Sequence, residues 1–438
     1  MNELENQQNW FKDSYENLIE IFKNQKKYSI QKSKYQQKGQ FPIVSQEKKD
    51  ISGYTDDVNK VFNIEDQKYI LFGDHTGIFK YLDFDFVVGA DGAKIFKSKN
   101  ENILRTKFLF YKSINNLIKN SGYNRHFKIL KEKMISYPNI NTQDIIISIL
   151  DKQKGIINTY NKKLKILEKQ TLYYQDEILS GRYRISLTKD SILYATQKGW
   201  YLNENLIKGK EQDFYEWIKI DFYSKIIFRK ENELIDFKQN SFQNKISSHF
   251  KLYKIGEIGV IKTGNTPSKK EKNNYGSEFN WYTTPDFNND TVFNSKLKLS
   301  KKGWDMARVV DINDILITCI GELGKIALVK KEGGFNQQIN SLKVNDNFYY
   351  YYIFMLLKKH KVYIQSFSKK NVVDIINKND FSNIPIYATP YIAEQISIVI
   401  FLKMFEAQKN NINEKINLEQ KKFDFLMDGL LNGTIRVN

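Results

Sequence analysis

The chain has 438 residues and a formal net charge of +18, from 68 Lys plus Arg against 50 Asp plus Glu. This length is typical of two or three domains, and the charge favours a polyanion partner such as DNA or RNA, although an AT-rich coding genome also enriches lysine. A single cysteine, Cys319, excludes an intrachain disulfide, and four scattered histidines exclude a regularly spaced Cys/His zinc site.

No segment of the sequence predicts secretion or membrane insertion. The N-terminus, MNELENQQNW, is polar and acidic, unlike a signal peptide. The longest apolar runs, 145–150 and 396–402, are much shorter than the roughly 18 residues that a spanning helix needs. We therefore expect a cytoplasmic protein without membrane contact.

The first block of sequence, residues 1–142, is predicted to be a β-rich domain. Its first 28 residues suggest a short amphipathic helix. Strand-like runs separated by glycine and aspartate turns follow at 41–46, 69–96 and 106–114. The segment 122–133 is basic and carries Arg125, His126 and Lys128.

An acidic cluster in this block supports an alternative function, a Mg²⁺-dependent DNA nuclease. Carboxylates hold Mg²⁺ in such enzymes, and the candidates are Asp74, His75, Asp83, Asp85 and Asp91. Aspartates beside turns more often serve the turn itself. The step from Asp91 to Lys94 also has the wrong spacing for a nuclease (D/E)-x-K element.

Two segments, 143–181 and 395–433, are copies of one long helix at a constant offset of 252 residues. Gln143 matches Gln395, and Gly181 matches Gly433 at the position of a left-handed C-terminal cap. The central conserved helix is assigned to 143–185 and the C-terminal one to 392–438. Such a repeat predicts two similar halves with two similar tasks.

Each copy carries a heptad seam, with steps of three and four residues between its apolar positions. The seam comprises Leu150, Gln153, Ile157, Tyr160, Leu164, Leu167, Thr171, Tyr174 and Ile178, and 252 residues later Leu402, Phe405, Lys409, Ile412, Ile416, Glu419, Phe423, Leu426 and Leu430. We expect the two seams to pair within one molecule, antiparallel. Packing on each helix's own block, or on another chain, is the alternative.

Residues 186–249 form a linker or an inserted element, and the second block covers 250–391. A turn at 264–267 is followed by Lys269 and Lys270. Further on, the sequence predicts two strands about a Gly321–Gly324 turn, a strand at 335–344, a helix at 349–359 and a basic segment at 366–375.

Two kinds of catalytic motif are absent from the sequence. The GELGK stretch at 321–325 lacks the spacing and the hydroxyl residue of a phosphate-binding Walker loop. No Pro-Pro pair occurs, so the adenine-methyltransferase motif [DN]-P-P-[YFW] is missing, and no glycine-rich cofactor loop follows a strand.

These motifs together resemble the specificity subunits of type I restriction-modification systems. In the second block the family pattern matches at Glu257–Pro267, Trp281–Asp286, Ile320–Lys325, Asn336–Ile339 and Ile384–Gln395. FGDHT (72–76), DFVVGADGAKI (85–95) and GYNRHFK (122–128) look like a different subtype of recognition domain. The helix ends ILSGRYRI and LLNGTIRV match the family's two conserved regions, whereas 187–249 departs from the pattern.

The resemblance implies an α+β fold with two mixed α/β target recognition domains, separated by two long antiparallel coiled-coil helices with pseudo-twofold symmetry. It implies a non-catalytic DNA-binding subunit that reads a bipartite, asymmetric target. The helices would dock two methyltransferase (modification) subunits, and restriction subunits would join for cleavage. S-adenosylmethionine, ATP and Mg²⁺ would be used in DNA methylation and restriction by those partners, with no cofactor or metal on this chain.

Polar and basic residues in loops are the candidates for DNA contact, because lysine and arginine neutralise phosphates while amide, hydroxyl and guanidinium groups read base edges. In the first block they are Ser45, Gln46, Lys94, Arg125, His126 and Lys128; in the second, Lys262, Thr263, Asn265, Thr266, Lys269, Lys270, Tyr282, Lys369, Lys370 and Asn371. A coiled-coil adaptor that binds only protein is a third hypothesis.

Overall fold

The computed structural model describes residues 10–89, 92–115, 126–202, 205–239, 242–287, 290–369 and 374–437. The chain forms two compact units. Unit 1 comprises Met1–Leu164 and Ile412–Asn438, and unit 2 comprises Lys165–Asn411. Each of the two long helices therefore contributes one part to each unit.

Unit 1 is built mainly from short strands, and most of its helical residues follow residue 98 in the chain. Its strands are β1 (Phe11–Ser14), β2 (Ile19–Ile21), β3 (Ser29–Ile30), β4 (Phe41–Val44), β5 (Gly53–Thr55), β6 (Tyr69–Gly73), β7 (Phe79–Leu82), β8 (Val87–Gly89), β9 (Ala93–Ser98) and β10 (Met134–Tyr137). Its helices are α1 (Tyr15–Leu18), α2 (Thr106–Asn115), α3 (His126–Glu132), the first part of α4 (Ile140–Leu179) and the last part of α13 (Ile392–Leu431).

Unit 1 contains an antiparallel sheet of order β2-β9-β6-β7, a second sheet of order β3-β8-β4-β5, and the pair β1-β10. All five residues of the central strand β6 are buried. Side chains of a strand point alternately to its two faces, and here both faces meet a core. Ile70 and Phe72 join the core beside α2 and α4, whereas Tyr69 and Leu71 join the core beside the second sheet.

Two sequence predictions in unit 1 are wrong. The segment 106–114 is the helix α2, not a strand. The sequence is misleading here because the aromatic run is buried on several sides, so its apolar residues follow neither the strand nor the helix periodicity. The amphipathic helix expected in the first 28 residues is replaced, among the residues described, by β1, the single turn α1 and β2. Pairing of β1 with β10 stabilises the extended form.

Unit 2 holds the inserted element and the second block. Its strands are β11 (Tyr183–Leu187), β12 (Tyr201–Leu202), β13 (Asn205–Leu206), β14 (Ile226–Lys230), β15 (Leu234–Gln239), β16 (Phe242–Ser247), β17 (Lys251–Lys254), β18 (Gly259–Thr263), β19 (Tyr275–Tyr282), β20 (Thr291–Val292), β21 (Leu297–Leu299), β22 (Val309–Val310), β23 (Ile315–Thr318), β24 (Ile326–Val329), β25 (Gly333–Phe335), β26 (Ile339–Val344) and β27 (Pro385–Ala388). Its helices are the last part of α4, α5 (Lys189–Gln197), α6 (Glu211–Lys219), α7 (Phe222–Lys225), α8 (Ile255–Ile258), α9 (Lys301–Met306), α10 (Tyr350–Lys359), α11 (Lys361–Gln365), α12 (Lys378–Ser382) and the first part of α13 (Ile392–Leu431).

The main sheet of unit 2 has the order β18-β26-β23-β24-β20, which repeats the order β2-β9-β6-β7 of unit 1 with β20 added at one edge. In both units a strand after a one-turn helix, α1 or α8, forms the opposite edge. The pair β17-β27 likewise repeats β1-β10. The predicted turn at 321–324 and the helix at 349–359 are confirmed, whereas the strand expected over 335–344 is interrupted by a turn at 336–338.

The long helices α4 and α13 are each 40 residues long, and they pack against each other along the predicted seam. Every seam position is buried or half-buried. Gln153 of α4 donates to the backbone oxygen of Glu419 at 3.1 Å and to its carboxylate at 2.7 Å, whereas Tyr174 meets Phe401 edge-to-face, with 5.6 Å between ring centroids. The partner number falls as the α4 number rises, so the pair is antiparallel, as predicted. No helix in the described part of the chain is apolar enough over its length to span a membrane.

The repeated glutamines perform the same structural task in each unit. The Gln143 side chain accepts from the backbone N–H of Arg105 at 2.8 Å and donates to the carbonyls of Ile103 and Pro138. Gln395 accepts from the N–H of Tyr349 at 2.6 Å and donates to the carbonyl of Thr389 at 2.9 Å. Each glutamine therefore joins the start of a long helix to the start of the shorter helix α2 or α10.

Each long helix ends at a glycine that packs against an aromatic residue far from it in the chain. Gly181 and Gly433 both have φ of +73°, the left-handed cap that the sequence predicts. Gly181 lies beside Phe250, and Gly433 lies beside Trp10. A lysine also bonds each helix end, since the buried Lys112 donates to the carbonyl of Leu431 and the half-buried Lys359 donates to the carbonyl of Asp176.

The inserted element is a packed part of unit 2. Phe228 contacts Phe401 of α13 at 4.9 Å between ring centroids, and Lys403 lies 5.5 Å from the ring of Tyr215. As a result Ile392–Leu402 is buried at every position. The corresponding residues 140–150 of α4 alternate between buried and exposed.

Candidate nucleic-acid interface

The GNTP turn of the second block, residues 264–267, is held rigidly against two neighbouring loops. Asn265 uses its whole side-chain amide, donating to the carbonyl of Met306 at 2.8 Å and accepting from the N–H of Arg308 at 2.7 Å. The Thr266 hydroxyl bonds the side chain of Gln337. A Cβ on Gly264 would meet the Asn336 carbonyl oxygen at 2.2 Å, so only glycine fits this approach.

The turn presents basic residues to solvent. Lys262, which precedes it on β18, and Lys269 and Lys270, which follow it, are all exposed. Thr263 is half-buried and donates its hydroxyl to the Asn340 side chain at 2.7 Å. The structure thus separates this predicted group into exposed lysines, suited to phosphates, and a framework of Thr263, Asn265 and Thr266 that fixes the turn.

Tyr282 lies in the core and does not form part of the surface. Its side chain is fully buried, and its hydroxyl donates to the Lys331 carbonyl at 2.7 Å. Burial raises the pKa of this phenol to about 12. The sequence interpretation of Tyr282 as a DNA contact is therefore corrected. An aromatic ring at the end of a central strand stabilises the fold by burying its large apolar surface in the core.

The basic segment near residue 370 is described only in part. Lys369 is exposed, and its ammonium group lies 3.0 Å from the carboxylate of Asp380. Lys370 and Asn371 lie outside the described residues. Their proposed contact with DNA stays a prediction.

In unit 1, Gln46 and the hairpin between β6 and β7 come together. The Gln46 side chain accepts from the N–H of His75 at 3.2 Å, and its backbone oxygen accepts from the Thr76 hydroxyl at 3.0 Å. His75 is exposed at the hairpin tip. A Cβ on Gly92 would lie within 3.3 Å of the His75 ring, so a third loop also closes on this group.

The other first-block candidates divide into buried and accessible side chains. Ser45 and His126 are buried, which contradicts their predicted contact with DNA. The Ser45 hydroxyl bonds that of Ser52 at 2.7 Å. Lys94 is half-buried on β9, and Lys128 is exposed on α3. Arg125 lies outside the described residues.

Two aspartates of the nuclease alternative, Asp74 and Asp85, bond the protein's own backbone. Asp74 is buried and accepts from the N–H of Phe127 at 2.9 Å, at the start of α3. Asp85 accepts from the N–H of Ile64 at 2.9 Å. Asp91 lies outside the described residues, and no group of three metal-ligating side chains is found among those described. Nothing in this geometry supports the nuclease alternative.

Sequence reasoning missed the residues that position the second-block turn. Arg308 donates from its guanidinium to the carbonyl of Thr263 at 2.5 Å, in addition to its backbone bond with Asn265. Gln337 fixes Thr266 from a different loop. No local pattern could have identified Arg308, because its partner lies 45 residues earlier in the chain.

The chain matches a family model and several known proteins over most of its length. The family model described as "Type I restriction modification DNA specificity domain" matches residues 13–169 and 247–421. The chain is 23% identical over 432 residues to the type I restriction enzyme EcoR124I/EcoR124II specificity subunit of Escherichia coli, covering 93% of this chain and 90% of that protein. It is also 23% identical to the HindI specificity subunit of Haemophilus influenzae, covering 77% of this chain and 79% of that protein.

Solved structures share the fold at lower identity. The crystal structure of the type I restriction-modification S subunit from M. genitalium aligns with a TM-score of 0.51 at 14% identity, covering 98% of both chains. A chain from work on complex assembly and conformational transition of the type I R-M system aligns with a TM-score of 0.51 at 13% identity, covering 96% of this chain and 97% of that one.

Proposed function

This chain belongs to the type I restriction-modification DNA specificity family and is a specificity subunit, and from that premise we propose that each of its two units reads one half of a bipartite DNA target. The observation that carries the proposal is the repeated architecture. One strand order, β2-β9-β6-β7 and β18-β26-β23-β24, occurs once in each unit, with the same glutamine joint beside it. A duplicated reader predicts two half-sites.

The two readers differ in their loops, so the half-sites should differ and the whole target should be asymmetric. The second-block turn carries exposed Lys269 and Lys270, whereas the first-block hairpin carries His75 over Gln46. Lysines supply affinity without choosing bases, and specificity comes from amide, hydroxyl and imidazole groups at base edges. The GNTP turn, fixed by the side chains of Asn265 and Thr266, gives its flanking lysines a defined position against the phosphates.

The helices α4 and α13 act as the spacer and as the platform for partners. If both readers contact the same face of the duplex, their half-sites should be centred about one helical turn, roughly 10 bp, apart. With roughly 4 bp read by each unit, about 6 bp between them go unread. Two methyltransferase subunits dock on the helices, and restriction subunits join this complex for cleavage.

Chemistry belongs to the partners in this proposal. The target adenines would be flipped out of the duplex into the methyltransferase, which uses S-adenosylmethionine. ATP and Mg²⁺ would serve the partner subunits, and this chain would be a non-catalytic recognition component in the cytoplasm. Its own residues bind the duplex, fix the register and hold the partners at their two adenines.

Mapping methylated bases tests the proposal directly. The chain and the methyltransferase subunit encoded with it would be produced together in a host without other DNA methylation, and the modified bases sequenced. We expect a gapped motif with two unlike half-sites. A continuous or palindromic motif would contradict the two-reader proposal, and cutting of DNA by the purified chain with Mg²⁺ alone would favour a nuclease instead.

A further inference from the structure

A groove in unit 1 runs between the edge of its main sheet and the outer face of α4. It has a volume of about 730 Å³. One wall is β7, which pairs only with β6 among the described residues. The other wall is α2, and Gly155 and Asn158 of α4 form part of the floor. An open strand edge offers backbone N–H and C=O groups to an added strand.

The same place in unit 2 is filled by the chain itself. There β20 pairs parallel with β24, the counterpart of β7, through Thr291 beside Leu328. Asp290, next to β20, forms an ion pair with Lys358 of α10. The inserted element also reaches this place, since the Lys403 ammonium group lies 5.5 Å from the ring of Tyr215 in α6 and 3.8 Å from the ring of Tyr351 in α10.

Counting from the paired glutamines confirms that these two places correspond. Asp151 lies eight residues after Gln143, and Lys403 lies eight residues after Gln395. In unit 1, Asp151 forms an ion pair with Lys107 of α2 at 2.9 Å and accepts from the Tyr111 hydroxyl. No counterpart of β20 or of the inserted element covers this pair in the described part of unit 1.

A glycine on the groove floor supports close approach by another molecule. Gly155 lies in the interior of a 40-residue helix, where glycine costs about 1 kcal/mol relative to alanine. Nothing lies within 4 Å of the position that its Cβ would occupy, so the chain's own packing does not require glycine. A backbone passing over α4 at this point would require it.

The charge of the groove argues against DNA as its occupant. Asp50, Asp83 and Asp151 line it together with Lys80, Lys107 and Lys154. Lys107 is paired with Asp151, and Lys80 donates to the carbonyls of Lys49 and Asp50. A nearly neutral groove with aromatic walls suits a polypeptide rather than a row of phosphates.

We propose that this groove binds an extended segment of a methyltransferase subunit, which adds to β7 as β20 adds to β24. The inference rests on the proposed function, in which methyltransferase subunits dock on these helices. It deepens that function by making the two docking surfaces unequal. The surface of unit 1 is completed by the partner, whereas that of unit 2 is completed by β20 and the inserted element of this chain.

The test compares Gly155→Trp, which places an indole on the groove floor, with Lys152→Trp on an exposed position of the same helix outside the groove lining. Each full-length variant is titrated with the methyltransferase subunit encoded beside it, and stoichiometry and affinity are read by sedimentation and native mass spectrometry. We expect Gly155→Trp to weaken binding of one of the two methyltransferase subunits by at least about tenfold, and Lys152→Trp to bind both as the unmodified chain does.

Hydrogen exchange gives a readout that does not depend on a variant. Amides of β7 should gain protection when the methyltransferase is added to the unmodified chain, because they acquire strand partners. Unchanged β7 protection, or normal binding by Gly155→Trp, overturns the inference. So does a dimer of the chain alone that Gly155→Trp dissociates, or a loss of DNA affinity with normal methyltransferase binding. Failure of the unmodified chain to bind any methyltransferase would instead refute the proposed function.

Discussion

Replacement of Gln395 by methionine should destabilise unit 2 by about 2–6 kcal/mol. Methionine has nearly the same volume and leaves little cavity. The loss comes from hydrogen bonds: the Tyr349 N–H at 2.6 Å and the Thr389 carbonyl at 2.9 Å would lose their partner. Both residues are buried, and each unsatisfied buried group costs about 1–3 kcal/mol.

The matched variants are Gln143→Met, the same change at the repeated position in unit 1, and Gln170→Met on the exposed surface of α4. Gln143 loses three bonds of 2.8–2.9 Å, so its effect should equal or exceed that of Gln395. The exposed change should stay within about 0.5 kcal/mol.

Urea unfolding would measure these differences, with hydrogen exchange by mass spectrometry assigning each loss to its unit. We expect reduced protection around α10 for Gln395→Met and around α2 for Gln143→Met. The reasoning is that each glutamine joint stabilises its own unit. It would be refuted if both variants lost less than about 1 kcal/mol of the free energy of unfolding, or lost no more than Gln170→Met does.

Three further predictions concern pH, a helix end and DNA. Burial lowers the pKa of Lys112 from 10.5 to about 8, so the unfolded chain keeps this proton to higher pH than the folded protein does. The free energy of unfolding should therefore rise with pH across that interval, by up to about 3 kcal/mol from this lysine, and the rise should shrink in Lys112→Met when urea titrations are compared. Gly181→Ala should destabilise more than Gly199→Ala, since both have positive φ but only Gly181 would place its Cβ within 2.7 Å of Phe250; equal melting temperatures of the two variants would contradict this. Lys269→Ala with Lys270→Ala should weaken DNA binding for all sequences and reduce the slope of log K against log salt by up to about 2, whereas an unchanged slope would remove both lysines from the interface.

Regular, long-range patterns in the sequence predicted the most extended elements correctly. The helices at 140–179 and 392–431 match the segments identified from the 252-residue repeat, and their seam positions are the ones that lie buried or half-buried. Even the polar interruptions agree, since Gln153 meets Glu419 across the pair. A heptad repeat sums a weak preference over many turns, so the pattern survives individual exceptions.

Short elements and surface exposure were predicted less well. The aromatic run of α2 resembled a strand because most of its sides are covered by the sheet and by α4, which removes the amphipathic signal. Residue type predicts DNA contact for Tyr282 and Ser45, but their hydroxyl groups bond partners within the core. Residue type alone does not tell whether a polar group faces water or another part of the chain.

The amino-acid sequence by itself determined the family, the duplication and the pairing of the long helices, because each depends on residue spacing that can be read along the chain. Tertiary structure alone decided which candidate side chains are exposed, that Arg308 and Gln337 fix the GNTP turn, and that the groove of unit 1 lies open where unit 2 is filled. The physical reason is that burial and hydrogen bonding join residues far apart in the chain, and such distances leave no periodic trace in the sequence.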